Sequence, residues 1–236
     1  MRALPLIVLL LCAPAISAVP DTMAQRLAAC TSCHGSTPAG DAGTNAGTGE
    51  RRYYPRIAGK PAGYLYNQLL NFREGRRQYP LMTWMVGHLS DDYLREIAAY
   101  FSSQHLPAPV LSRAGLPAAE LERGRQLVTR GDPALGIPAC IACHGERLTG
   151  ALPAIPGLVG LPRDYINAQF GAWRNGSRRA HAPDCMAAIA SRLSLSDVAA
   201  VSGWLASEPL PEDAAPAAAP ARPLPLACGS APEVRP

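Results

Sequence analysis

Apolar positions recur at helical spacing in six stretches of the chain, and nowhere do they alternate cleanly in the manner of a strand. The clearest stretch runs from Asp91 to Ser102, where Leu94, Ile97, Ala98 and Phe101 fall on one face and Ser90-Asp91-Asp92 supplies a cap. A helix is expected from Pro61 to Glu74, with proline in the first turn, where its missing N–H costs nothing. A short helix from Thr22 to Ala29 precedes it. Residues 118–130, 163–174 and 195–206 repeat the plan, the last with Ser196-Asp197 as a capping pair. Residues 35–50, rich in Gly, Thr and Ala, read as a loop. Residues 106–117 hold three prolines and read as a linker. From Pro209 the chain is a Pro/Ala tail without periodicity, expected to be extended or mobile. The pattern therefore predicts an all-α protein of two small helical domains, 19–105 and 118–207, followed by a flexible tail, 208–236.

Composition narrows this picture. The 236 residues are 48% hydrophobic, enough for folded cores, yet only 6% are aromatic. A unit of this size with so few aromatics has a thin core of its own. The net charge is +4, without a dense basic run, and Lys60 is the single lysine, so nucleic-acid binding finds no support. Residues 1–18 have the form of a signal peptide. Arg2 supplies the positive start, Leu4 to Cys12 the apolar run, and Ala13, Ala15, Ser17 and Ala18 the small residues before a cut near Ala18. The run is short for a membrane span, although an uncleaved anchor is the other reading. An exported, periplasmic protein is expected. Peripheral association with a membrane is compatible with this sequence.

Seven cysteines carry the chemistry. Four of them form Cys30-Thr31-Ser32-Cys33-His34 and Cys140-Ile141-Ala142-Cys143-His144, the attachment signature of a c-type haem. Two intervening residues let one helical turn present both thiols to the two vinyl groups on one porphyrin edge. The next residue then lies under the iron, and histidine there is a proximal ligand. Paired Cys-x-x-Cys can also hold zinc, but with the pairs about 15–20 residues apart, and here they are far more distant. A thioredoxin-like site needs a βαβ setting that the pattern lacks. Two covalently bound haem c groups are therefore expected, held by Cys30, Cys33, Cys140 and Cys143 with His34 and His144 as proximal ligands.

An internal repeat points to the distal ligands. Pro55 matches Pro156, Tyr64 matches Tyr165 and Gln68 matches Gln169. Phe72-Arg73 then matches Trp173-Arg174, and Arg77 matches Arg178. Three extra residues enter the second half. The register then locks again, with Met82 on Met186, Leu89-Ser90 on Leu193-Ser194 and Tyr100 on Trp204. Met85 faces Ile189 in this register, and His88, His105 and His181 have no counterparts. Met82 and Met186 are thus the distal candidates; a thioether suits haem iron and raises its potential. Pro55 and Pro156 could fix a carbonyl that accepts the proximal imidazole N–H, or serve as plain turn prolines. Arg73, Arg77, Arg174 and Arg178 could neutralise haem propionates, shape a docking surface or lie on solvated faces. Cys185 and Cys228 remain. A disulfide, two free thiols, and Cys185 as an iron ligand are all open.

Cys-x-x-Cys-His, then Pro55-Arg56-Ile57-Ala58-Gly59-Lys60-Pro61, Tyr64, Gln68-Leu69, Phe72-Arg73-Glu74-Gly75, Met82 and Leu89-Ser90-Asp91 together resemble the cytochrome c4 family of two-haem class I cytochromes c. The resemblance covers most of residues 24–206, in weaker form in the second half. It implies two tandem class I cytochrome c domains in pseudo-twofold contact, a bacterial periplasmic location, redox-protein partners and electron delivery toward a terminal oxidase, without catalysis. Two other functions stay open. One is oxidation of a small sulfur compound such as thiosulfate, suggested by Cys185 beside Met186. The other is service as the haem subunit of a dehydrogenase complex, docked through the tail.

Overall fold

The computed structural model describes residues 22–35, 54–105 and 115–231. The leader 1–18, the loop expected at 35–50 (save Gly35) and most of the linker 106–117 lie outside the described residues. Among the described residues ten α-helices carry the fold: α1 (Met23–Arg26), α2 (Ala28–His34), α3 (Ala62–Arg73), α4 (Pro80–Val86), α5 (Asp91–Ser102), α6 (Ala118–Thr129), α7 (Ile141–His144), α8 (Arg163–Arg174), α9 (Cys185–Arg192) and α10 (Leu195–Ser207). The all-α class holds. The five helices expected beyond residue 60 appear within a residue or two of their anticipated ends.

The first domain buries Leu27, Leu65, Phe72, Val86, Leu94, Ile97, Ala98 and Phe101 in one cluster. Four of these are the face anticipated on α5, capped by the Ser90 side chain accepting from the Tyr93 N–H. In the second domain α6 crosses α10 at close range. A Cβ on Gly124 would stand 2.2 Å from the Ala200 carbonyl oxygen, so only glycine permits this approach. Arg123 ties the crossing down through Asp132 and Asp197 at 3.0 and 2.8 Å. Burial pushes the Asp197 carboxyl up, but its bonds from Arg123 and Ser194 outweigh this and hold it below the usual value.

Several details depart from the sequence pattern. The cap of α10 is Ser194, which accepts from the Asp197 N–H in a capping box, rather than Ser196. The first helical stretch breaks at Leu27 and resumes through His34, so the first haem motif is itself helical. Helices α4 and α9 each carry too few turns for a periodic signal. A two-residue hairpin pairs Gly150–Ala151 with Ile155–Pro156. The tail is extended, as anticipated, but not loose. Ala217 pairs with Gly150 and Leu152, Arg147 reaches Asp213, and Cys228 is bonded to Cys185.

The domains meet about the repeat itself. Arg77 pairs with Arg178 in an antiparallel bridge, flanked by Gln78 N–H to Ser177 carbonyl and Arg179 N–H to Arg76 carbonyl at 2.7 and 2.6 Å. A residue facing its own equivalent is the mark of a twofold contact. Helix α3 also leans on the hairpin loop, where Gly63 donates to the Pro153 carbonyl at 3.1 Å.

Candidate haem sites

Each attachment motif occupies one helical turn. Cys30, Cys33 and His34 lie on α2; Ile141 to His144 form α7 with Cys140 at its cap. Burial raises the Cys30 and Cys143 thiols and pushes Cys140 up to about 12. A redox-active Cys-x-x-Cys pair needs the opposite, a thiol lowered toward neutrality. Among the described residues no group of three or more His, Cys, Asp or Glu could hold a bare metal ion.

The two prolines that repeat act alike. His34 Nδ1–H donates to the Pro55 carbonyl at 2.9 Å and His144 Nδ1–H to the Pro156 carbonyl at 2.7 Å. Burial pushes both imidazoles below their ordinary value, so each is neutral with Nε2 left as its lone-pair nitrogen. That is the tautomer a metal-ligating histidine needs.

On the distal side, Met82 lies on α4 against the first core and Met186 on α9 against the second. Met85 packs against the first core as Met82 does, so burial alone does not choose between them; the repeat does. His88 and His105 are exposed. His181 Nε2 is 3.2 Å from an Arg76 guanidinium nitrogen. Cys185 is joined to Cys228 and has no thiol to offer.

In the second domain Cys140, Cys143, His144 and Met186 share one apolar-lined cavity, which extends to Lys60, Tyr64 and Gln68 of the first domain. Here the four arginines separate into two kinds. Arg73 and Arg174 clamp the turns after the methionine helices, donating to the Leu89 and Leu193 carbonyls. Arg77 and Arg178 are buried at the domain contact, 9% and 7% exposed. Their partners are reciprocal. Arg77 donates to Gln68, Gln169 and the Tyr165 hydroxyl; Arg178 donates to Gln169, Gln68 and the Tyr64 hydroxyl. They stack on Phe72 and Trp173 at 4.6 and 3.9 Å. Burial and the Arg77 charge push the Arg178 guanidinium down, and burial lowers Lys60 to about 8. Among the described residues none of these three cations has a carboxylate partner.

Two buried cations and a half-buried third without an anion are costly. A haem c brings two carboxylates, and the thiols, imidazole and thioether supply its other attachments, so these residues fit the group at every point. The Tyr–Gln pairs, spaced one helical turn apart in both halves, were visible as a repeat; Lys60 was visible as the solitary lysine and within the Pro55–Pro61 string. What they surround depends on how α3 and α8 face each other, which no local pattern encodes.

No protein-family model matches the chain. A thiosulfate dehydrogenase electron acceptor of Thiomonas intermedia is 38% identical over 78% of this chain and 80% of its own length. Cytochrome c4 of Pseudomonas aeruginosa is 32% identical over 76% and 84%. The crystal structure of reduced cytochrome c4 from Pseudomonas stutzeri superposes with a TM-score of 0.63 at 30% identity, covering 78% of this chain and 95% of that one. The structure of a thiosulfate dehydrogenase from Marichromatium purpuratum gives the same TM-score and identity over 75% of this chain, which spans only 36% of that longer one.

Proposed function

The chain belongs to the cytochrome c4 family, and from that premise we propose the ligand set, route and partner by which this di-haem electron carrier works. Two haem c groups are bound covalently, and each supplies one reversible electron at its iron. Cys30 and Cys33 would hold the first, Cys140 and Cys143 the second. His34 with Met82, and His144 with Met186, would supply the iron ligands. The Pro55 and Pro156 carbonyls orient the imidazoles. Arg77, Arg178 and Lys60 would receive haem carboxylates where the domains meet. Apolar walls keep water from the irons and the potentials high.

The observation that carries this reading is the reciprocal burial of Arg77 and Arg178, whose charges a pair of acidic cofactors at this contact would offset. If Met82 and Met186 both ligate, neither iron would keep an open position for a substrate, which supports the carrier reading over a catalytic one. The sulfur-oxidising alternative rested on a Cys185 thiol, and Cys185 is in a disulfide. The tail, the imagined dock for a dehydrogenase complex, is engaged on its own second domain.

The Thiomonas relative is named for accepting electrons from thiosulfate dehydrogenase. We assign this chain a donor of the same kind, a periplasmic thiosulfate-oxidising enzyme, with delivery onward toward an oxidase. The leader 1–18 would carry it across the inner membrane and be cut near Ala18. Stopped-flow mixing of the oxidised protein with such an enzyme and thiosulfate is expected to reduce both haems, while thiosulfate alone leaves them oxidised. Reduction by thiosulfate without the enzyme would overturn the carrier reading. Met82→Ala and Met186→Ala are each expected to remove half of the long-wavelength methionine–iron charge-transfer band; an unchanged band in both would overturn the ligands.

A further inference from the structure

Three features of the second half have no counterpart in the first: the extra residues before Met186, Cys185 itself, and the tail. The structure brings all three together. Gly229 N–H donates to the Pro183 carbonyl at 2.9 Å, and the His181 N–H reaches Ser230 Oγ at 3.3 Å. Cys228 is bonded to Cys185, the residue before Met186, closing a separation of 43 residues. The fit is tight: a Cβ on Gly229 would stand 2.2 Å from the Ala182 carbonyl oxygen. Residues 180–183 are thus the seat on which the tail rests. Asn67 of the first domain holds the far end, donating to the Ser230 carbonyl at 3.1 Å.

The seated stretch is strand-like without a strand partner. In Pro223-Leu224-Pro225-Leu226-Ala227-Cys228-Gly229-Ser230, positions 224, 226, 228 and 230 are half-buried and the residues between are exposed. Period-two geometry turns every second residue inward. The two prolines lack an N–H, so they leave no donor to satisfy on the outer side. Leu224, Leu226, Cys228 and Ser230 line the same cavity as His144 and Met186. The first domain presents the opposite case. Leu81, at the register of Cys185, is 47% exposed, and Trp84 on the same helix is 71% exposed.

We propose that residues 224–231, locked by Cys185–Cys228 onto the 180–183 seat, form a strap that closes the second haem site, holding Met186 on its iron and keeping outside ligands from it. The proposal rests on Met186 being the distal ligand. The strap is a positioning device: it acts by denying α9 the freedom to swing out. The two haems then differ in access although their ligands are alike, and exchange with other proteins falls to the first domain.

The test uses the haem-loaded, full-length oxidised protein, with imidazole as a small competing ligand followed through the methionine–iron band. In the native protein the band is expected to have the amplitude of two haems, and imidazole to displace the second methionine slowly. In Cys185→Ser/Cys228→Ser, and separately in Gly229→Val with the disulfide intact, displacement at one haem is expected to quicken by about tenfold or more, because opening of the strap no longer limits it. The other haem keeps its native rate. A native band of one-haem amplitude would overturn the Met186 assignment and the strap with it. A two-haem band with native rates in both variants, or equal acceleration at both haems, would overturn the strap alone.

Discussion

Arg77 and Arg178 sit where two guanidiniums are least welcome: buried, adjacent, and bonded only to amide and phenol oxygens. Guanidinium does not shed its proton to escape such a place, so the charge must be met by an anion. A cation fixed beside a haem favours the electron-rich, reduced iron. Replacing either arginine with glutamine is therefore expected to lower the reduction potential of one or both haems, on the order of tens of millivolts, measured by spectroelectrochemical titration. An unchanged potential would place the carboxylates elsewhere. The sequence disclosed these residues as a repeated pair but left their role among three possibilities. Arg73 and Arg174 repeat just as faithfully and do different work, capping the turns at Leu89 and Leu193. Repetition marks that a residue matters to both halves, and burial decides what it is for.

Among the elements, the α6–α10 crossing depends on the absence of one side chain. Gly124→Val would drive a branched carbon into the Ala200 carbonyl and the Trp204 Cβ. A loss of about 1–3 kcal/mol or more is expected, the cost of overpacking a tight contact, seen in denaturant unfolding of the holoprotein followed at the second haem. Arg123 bridges the same crossing to Asp132 and Asp197. Its replacement by methionine is expected to cost about 1 kcal/mol near neutral pH. Asp197 has its carboxyl lowered by folding, so this contribution is present above the ordinary aspartate value, about 4, and is lost as the pH falls through the lowered one. The stability gap between native and variant proteins should close under acid; a gap constant with pH would remove Asp197 from the account. The helices with three turns and an apolar face were legible in sequence. Helices α4 and α9 were not, because seven or eight residues hold too little periodicity, although the matched methionines they carry had already marked their place. The tail misled because Pro/Ala composition speaks for an extended chain and is silent on what it lies against.

For the whole molecule, each domain is a small set of helices with few aromatics in its core, and a haem would supply apolar mass to it. Cys30→Ser/Cys33→Ser/Cys140→Ser/Cys143→Ser, which prevents attachment, is expected to give a chain without native near-UV circular dichroism. A native-like spectrum would show that the protein core suffices. The all-α class and the two covalent haems were readable from the chain, since the motifs are local. The seating of the tail beside the second site was not, since it arises from residues 43 apart meeting through a disulfide.

The pairing of Arg77 with Arg178 also sets a rule of assembly. Each domain brings one guanidinium to the contact, and each haem brings the acid groups to receive it. A half-loaded chain would close that contact over an excess of positive charge, so its two domains are expected to hold together less firmly than those of the fully loaded chain.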